Sequence, residues 1–292
     1  DWPTQNIGEI TMDWRNQTLW VGTGENNSSR SSYSGIGILK TEPNGSSWVN
    51  VGLSDSHHIG KIIINPSDKD HVIVGVTGHL YSKNKNRGVY VSNDGGETWK
   101  NTLYINDTTG IIDMAVTPNS FNIMYASAWE KDRKAWNLDE DGKSSAIYKS
   151  IDGGETWDKI SKENSGFPVG EGVGRIGIAV YDENIVYAVL DNQYRRELKT
   201  QNENLTKESF KDISVDNFKK IKTEDLNRFL RSNRFPKKYN AESVNSDINS
   251  GKIEPNDLYS YLVNANSELF DTPVIGAEVY KSVDGGQSWK KT

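Results

Sequence analysis

The chain has no cysteine among its 292 residues, which excludes disulfides and thiolate metal ligands. It is poor in apolar residues, at 34%, and holds no run approaching the roughly eighteen that a membrane-spanning helix needs. Basic charge is in deficit: 34 Lys and Arg stand against 40 Asp and Glu, a formal net charge of -6. A nucleic acid would demand a basic face for its phosphates, so no such partner is expected. No secretory leader is visible, and the sequence opens abruptly at Asp1-Trp2-Pro3, as a mature chain or an excised fragment does. A secreted eukaryotic receptor domain usually carries disulfides, so a bacterial, extracytoplasmic setting (secreted, periplasmic or cell surface) is the expectation.

What the chain does have is glycine, tryptophan and tyrosine, at 26, 9 and 13 residues, a mixture suited to short strands joined by tight turns. Three copies of one turn run through it: Ser92-Asn93-Asp94-Gly95-Gly96-Glu97-Thr98-Trp99, Ser150-Ile151-Asp152-Gly153-Gly154-Glu155-Thr156-Trp157 and Ser282-Val283-Asp284-Gly285-Gly286-Gln287-Ser288-Trp289. A worn fourth copy spans Thr41 to Trp48, with Pro43 at the Asp position. Such self-similarity marks a repeat architecture. The carboxylates of Asp94, Asp152 and Asp284 are expected to accept hydrogen bonds from turn N–H groups, while the glycines take positive φ at low cost. Trp99, Trp157 and Trp289 supply apolar plates for packing between sheets. These residues read as structural.

The turn resembles the Asp-box, or BNR repeat, of sialidase-like and sortilin/VPS10-like β-propellers. The resemblance covers Ile7 to about Asn192 and resumes at Gly276, and Gly22 to Asn27 and Asp55 to Gly60 are similar to a bacterial glycosyl-hydrolase-like or sortilin-like group. It implies an all-β propeller of four-stranded blades and a surface used for ligand capture or glycan cleavage. The Phe-Arg-Ile-Pro segment of true sialidases does not occur, so sialidase activity is not expected. The paired aspartates of xyloglucan-cleaving propellers are not recognisable in their usual contexts either.

A second repeat interleaves with the first. Glu9–Asp13, Lys61–Asn65, Ile111–Ala115 and Arg175–Ala179 are β-favouring runs. Each is followed by a turn and another such run, at Leu19–Gly22, Val72–Gly75, Ile123–Ala126 and Ile185–Ala188. With the strands flanking each Asp-box this makes four strands per blade, in blades of about 7–52, 60–102, 110–161 and 174–292, the visible part of a larger propeller. The fourth blade carries a long insertion, about 195–272, between its halves 1–194 and 273–292. Phe218, Ile221, Leu226, Phe229 and Leu230 recur there at helical spacing, with Thr223 as an N-cap and a further helix from Pro255 through Tyr261 toward Leu269-Phe270. It reads as a helical cap, or as a docking element for a protein partner.

Blade order places the Asp-boxes at one edge of the sheets. The loops between second and third strands, and those leading into each blade, lie at the other. Glu25, Arg30 and Tyr33, then Asp55, His57 and His58, then His79, Tyr81 and Arg87 fall in such loops, as do Trp129, Glu130, Arg133 and Trp136, and Glu171 with Arg175. Carboxylates from Glu25, Asp55, Glu130 and Glu171 are the candidates for glycoside hydrolysis, which needs two across the scissile bond. His57, His58, His79, Tyr81, Arg87, Trp129, Arg133, Trp136 and Arg175 are the candidates for ligand contact. No metal or other cofactor is assigned, because spacing places no third ligand beside His57-His58. Three functions stay open: a module binding peptide or glycan, a glycoside hydrolase, and a scaffold of a surface or secretion assembly.

Overall fold

The structure, a computed structural model, describes residues 4, 6–41, 45, 47–195, 205–262 and 274–292. Asp1-Trp2-Pro3, Glu42 to Asn44 and Ser46 of the worn turn, and 196–204 and 263–273 of the insertion, with Leu269 and Phe270, lie outside the described residues. Two compact units form, Asp1–Tyr194 with Val274–Thr292, and Arg195–Pro273.

The first unit is an all-β propeller fold of four-stranded antiparallel blades. Blade one is β1 (Ile7–Asp13), β2 (Thr18–Thr23), β3 (Ile38–Thr41) and β4 (Trp48–Asn50). Blade two is β5 (Ile59–Asn65), β6 (Asp68–Val76), β7 (Gly88–Ser92) and β8 (Lys100–Leu103). Blade three takes β9 (Thr109–Thr117) and β10 (Ser120–Glu130), then a small hairpin of β11 (Asp132–Arg133) and β12 (Leu138–Asp139), then β13 (Ala146–Ser150) and β14 (Asp158–Lys159). Blade four is β15 (Val173–Val180), β16 (Val186–Arg195), β17 (Val274–Ser282) and β18 (Lys290–Lys291). In every blade the strands pair in sequence order, apart from the hairpin, which forms its own sheet.

Period-two alternation then assigns each side chain to a junction. On β6, Val72, Val74 and Val76 pack with Trp20 and Ile38 of blade one, while Ile73 packs with Met124, Ala126 and Ala128 of blade three. On β10, Tyr125 crosses to Val186, Ala188 and Leu190 of blade four. Each fully buried side chain of this kind contributes about 1.5–3 kcal/mol.

The Asp-box makes the same bonds three times. Ser92 Oγ donates to Asp94 Oδ1 at 2.7 Å and accepts from Gly96 N at 2.8 Å, and Asp94 accepts from the Thr98 backbone at 2.9 Å and hydroxyl at 2.5 Å. Ser150, Asp152 and Thr156 repeat the pattern, as do Ser282, Asp284 and Ser288. The second glycine of each turn sits at positive φ beneath a side chain of the preceding blade. A Cβ on Gly96 would meet Trp20 at 3.1 Å, one on Gly154 would meet Ile73 at 3.3 Å, and one on Gly286 would meet Tyr125 at 3.4 Å. A donor from that preceding blade also reaches each first glycine's carbonyl: Lys40 Nζ to Gly95, His71 Nε2 to Gly153 and Lys149 Nζ to Gly285. At the matching place in blade four, Tyr187 lies exposed with Lys281 over its ring.

The second unit is helical: α1 (Val215–Phe218), α2 (Thr223–Ser232), α3 (Ala241–Asn249) and α4 (Asn256–Leu262). Phe218, Leu226, Phe229 and Leu230 are buried in its own core with Phe210, Val244 and Leu258, and Ile221 packs at the margin. Thr223 is not the N-cap of α2. The helix begins there, Lys222 occupies the cap, and no side chain caps it. Asn240 caps α3 through a reciprocal pair of bonds with Ser243. No helix among the described residues is long and apolar enough to cross a membrane.

Candidate functional site

Hydrogen bonds confirm the two edges of the blades. Gly95 N, in an Asp-box, bonds Asp70 O near the start of β6. At the other edge Gly35 N bonds His57 O, and Asn84 N bonds Asp107 O, tying second-to-third-strand loops to the segments that lead into the next strand.

A cleft of about 450 Å³ opens at this loop-rich edge, walled by Arg30, Tyr33, His57, His79, Tyr81 and Ser82. Tyr33 and Tyr81 present exposed rings, and Tyr81 Oη donates to the Arg30 carbonyl at 2.5 Å. A larger cavity, about 700 Å³, lies at the Asp-box edge. Its walls include Trp20, Lys40, Asp94 and Trp99, which are already engaged in the turn and the blade junction. Chemistry therefore points to the smaller cleft.

The histidines do not pair as their adjacency suggests. His57 and His79 stack, with ring centroids 3.6 Å apart and planes 13° from parallel, and Asp55 lies beside both. Leu53 and His57 hold left-handed φ of 54° and 61° around a short turn of 3-10 helix at Ser54–Ser56. Burial and the neighbouring His79 lower the His57 pKa, against an upward pull from Asp55. His58 instead turns inward. Burial and then Lys131 push its pKa down to about 4, and its Nδ1 has no hydrogen-bond partner among the described residues.

Arg87 and Trp129 are taken up by the fold itself. Arg87 is buried and its guanidinium donates to the carbonyls of Thr77, His79, Ser82 and Thr108, so it clamps the loop. Trp129 is buried too, its Nε1 donating to Glu140 O at 2.7 Å, with Lys131 and Arg175 over its ring. Trp136, past the tip of the β11–β12 hairpin side that carries Arg133, is 84% exposed. Glu130 accepts from the Ser144 backbone at 2.9 Å, and Glu171 pairs with Lys143 at 3.0 Å. Glu25 contributes its backbone: its N–H bonds Tyr33 O and its carbonyl bonds the His58 ring.

Two groups escaped sequence reasoning. Burial, and then Arg87, lower the Lys131 pKa to about 7. Half-buried Glu140 has a raised pKa from desolvation and from Asp191 and Asp141, opposed by Arg133. The run of acids Asp139-Glu140-Asp141 is the sequence feature from which it was open to recognition.

The profile of the family Sortilin-Vps10 (sortilin, neurotensin receptor 3) matches residues 37–244. No curated protein matches the chain. Among solved structures, the GH74 xyloglucanase from Xanthomonas campestris is similar at 14% identity, over 98% of this chain and 30% of that one, with a TM-score of 0.49. The Niastella koreensis GH74 enzyme is similar at 16% identity, over 98% and 38%, with a TM-score of 0.41. YCF48 bound to D1 peptide is similar at 15% identity, over 64% and 48%, with a TM-score of 0.38. The chain thus spans between about a third and a half of the length of these proteins' own chains.

Proposed function

The chain belongs to the Sortilin-Vps10 family, and from that premise we propose that it is an extracytoplasmic propeller module that binds a peptide or glycan ligand at its loop-rich edge. The observation that carries this reading is the cleft walled by Arg30, Tyr33, Tyr81, His57 and His79. Exposed tyrosines offer flat faces at low conformational cost to a sugar ring or a peptide side chain. Arg30, exposed and in no ion pair among the described residues, suits a carboxylate or a row of hydroxyls. The family's description names a peptide receptor, so peptide is the first ligand class and glycan the second.

A peptide and glycan array probed with the purified chain tests this. Binding that falls at least about 10-fold in Tyr81→Ala or Arg30→Ala, with the unfolding midpoint retained, supports the cleft. Binding unchanged in both variants rejects it. Cell fractionation of the source organism tests the extracytoplasmic placement.

One observation favours a second reading, glycan cleavage. Glu140, its pKa raised by burial and then by Asp191 and Asp141, has the character of a general acid beside other carboxylates. Reducing sugar released from mixed polysaccharides, and lost in Glu140→Gln, would replace the binding reading with this one. The scaffold reading has less support: among the described residues of the helical unit, the large apolar side chains exposed are Val215 and Tyr261.

A further inference from the structure

We propose that Asp55, His57 and His79 form a binding site for a divalent transition-metal ion of the zinc class, open to the cleft. The site goes beyond ligand capture and stands on its own geometry.

The three donor atoms, a carboxylate oxygen and two imidazole nitrogens, all lie within 4.8 Å of one another. Asp55 Oδ1 is 3.6 Å from His79 Nε2 and 3.9 Å from His57 Nε2. Ligands on a tetrahedral zinc sit about 3.3 Å apart, given zinc–nitrogen bonds of about 2.0–2.1 Å. Both carboxylate distances therefore close by less than an ångström. The in-plane Nε2 lone pairs of near-parallel rings run side by side, so the two imidazoles must unstack and splay, with their Nε2 edges kept together, to converge on one ion. Asp55 is exposed and His57 only half-buried on the same loop, and neither belongs to a hydrophobic core cluster, so the rotation takes place at the surface of the loop.

A supporting shell is already present. Asn86 Nδ2 donates to Asp55 Oδ2 at 2.5 Å, which leaves Oδ1 for an ion. His79 Nδ1 lies 2.9 Å from Ser82 Oγ, and His79 Nε2 lies 3.0 Å from the Asp55 carbonyl. Without an ion, Nε2 carries the proton for that carbonyl and the serine hydroxyl donates to Nδ1. A hydroxyl can also accept, so the ring can take its other tautomer, with Nδ1–H donating to Ser82 and Nε2 free to bind metal. Outer partners of this type hold metal-binding histidines in place. The left-handed φ of Leu53 and His57, both ordinary L-residues, is backbone strain of the kind that gathers at functional sites.

The donor set selects the ion. Two imidazoles with one carboxylate suit Zn²⁺, Ni²⁺, Cu²⁺ or Fe²⁺, whereas Mg²⁺ and Ca²⁺ prefer oxygen alone. Three protein ligands leave the side facing Arg30 and Tyr81 for water or for an incoming carboxylate or hydroxyl.

Chelator-stripped full chain, dialysed against Zn²⁺ and separately titrated with Co²⁺ for its visible spectrum, tests the site without any organic ligand. One ion per chain is expected, with affinity reduced about 100-fold or more in His57→Gln and in His79→Gln and about 10-fold in Ser82→Ala. His71→Gln, altered at the opposite edge, should retain it. Absence of saturable binding by the wild-type chain overturns the proposal, as does undiminished binding in the two ligand variants or equal affinity for Mg²⁺. Circular dichroism checks each fold, and if a ligand variant unfolds, Ser82→Ala, whose side chain is on the surface, decides.

Discussion

The two edges of the blades use the same polar residue types to opposite ends. At the Asp-box edge, serine, aspartate and threonine saturate one another and the turn N–H groups, three times over with nearly equal distances. At the loop-rich edge, buried polar atoms are left over: Ser56 Oγ, His58 Nδ1, Arg87 Nε, Thr109 Oγ1 and Arg133 Nε have no partner among the described residues, against Thr117 Oγ1 alone at the end of β9 on the other edge. A saturated network fixes a backbone, while unsatisfied buried donors and acceptors await water or a ligand. The difference teaches that repetition here is architecture, and that the unmatched buried polar groups gather mainly where the repeats disagree.

The largest expected effect breaks the Asp-box edge. Trp20→Ala removes a fully buried plate that covers Gly96 and carries Lys40 over its ring, and should cost about 3–5 kcal/mol by urea unfolding. Next is a test of the buried amine at the other edge. Lys131 has a folded pKa of about 7 and an unfolded value of 10.5. Between those values the unfolded chain binds the extra proton, so stability rises as pH rises through this window. Lys131→Met should remove that rise, and should stabilise the protein at pH 7 and below by on the order of 2 kcal/mol. Unfolding of both proteins at pH 6, 8 and 10 measures the difference (pH values of about these suffice).

Smaller again, Ser150→Ala strands the buried Gly154 N–H and should cost about 1.5 kcal/mol. On the acid side, Thr98 hydrogen bonds and Ser92 hold Asp94 at about 2, and Asp284, despite partial burial, is held at about 2 by Ser288 and Ser282. Their contribution is complete above the unfolded carboxylate range and is lost as pH falls through about 2, so acid unfolding should begin at this edge. Hydrogen exchange of Thr98 and Ser288 amides across that range checks it. The smallest effect on stability is at the cleft, where Tyr81→Ala should change the unfolding free energy by less than about 0.5 kcal/mol.

Much of the scaffold was legible because a repeat reports its own register. Ser92, Asp94 and Trp99 announce a turn, and the flanking runs then fix four strands per blade. The site was less legible. His57 meets His79 only because the left-handed residues Leu53 and His57 bend their loop toward the one after β6, and no local pattern encodes that meeting. Arg87 resembled a ligand-binding cation, yet it holds four carbonyls of its own surroundings, a role set by the path of the backbone. Trp129 and Trp136 looked alike in sequence. One is buried by the fold of β10 and the other sits out on the hairpin, which tertiary context alone decides.

The most direct measurement of the claim that loops bind and Asp-boxes hold is a peptide and glycan array run with wild-type chain, Tyr33→Ala/Tyr81→Ala and Ser150→Ala side by side. The account predicts that the double tyrosine variant keeps its unfolding midpoint and loses its array signal, while Ser150→Ala keeps its signal and loses stability. Signal retained by the tyrosine variant, or lost by a folded Ser150→Ala, would contradict it.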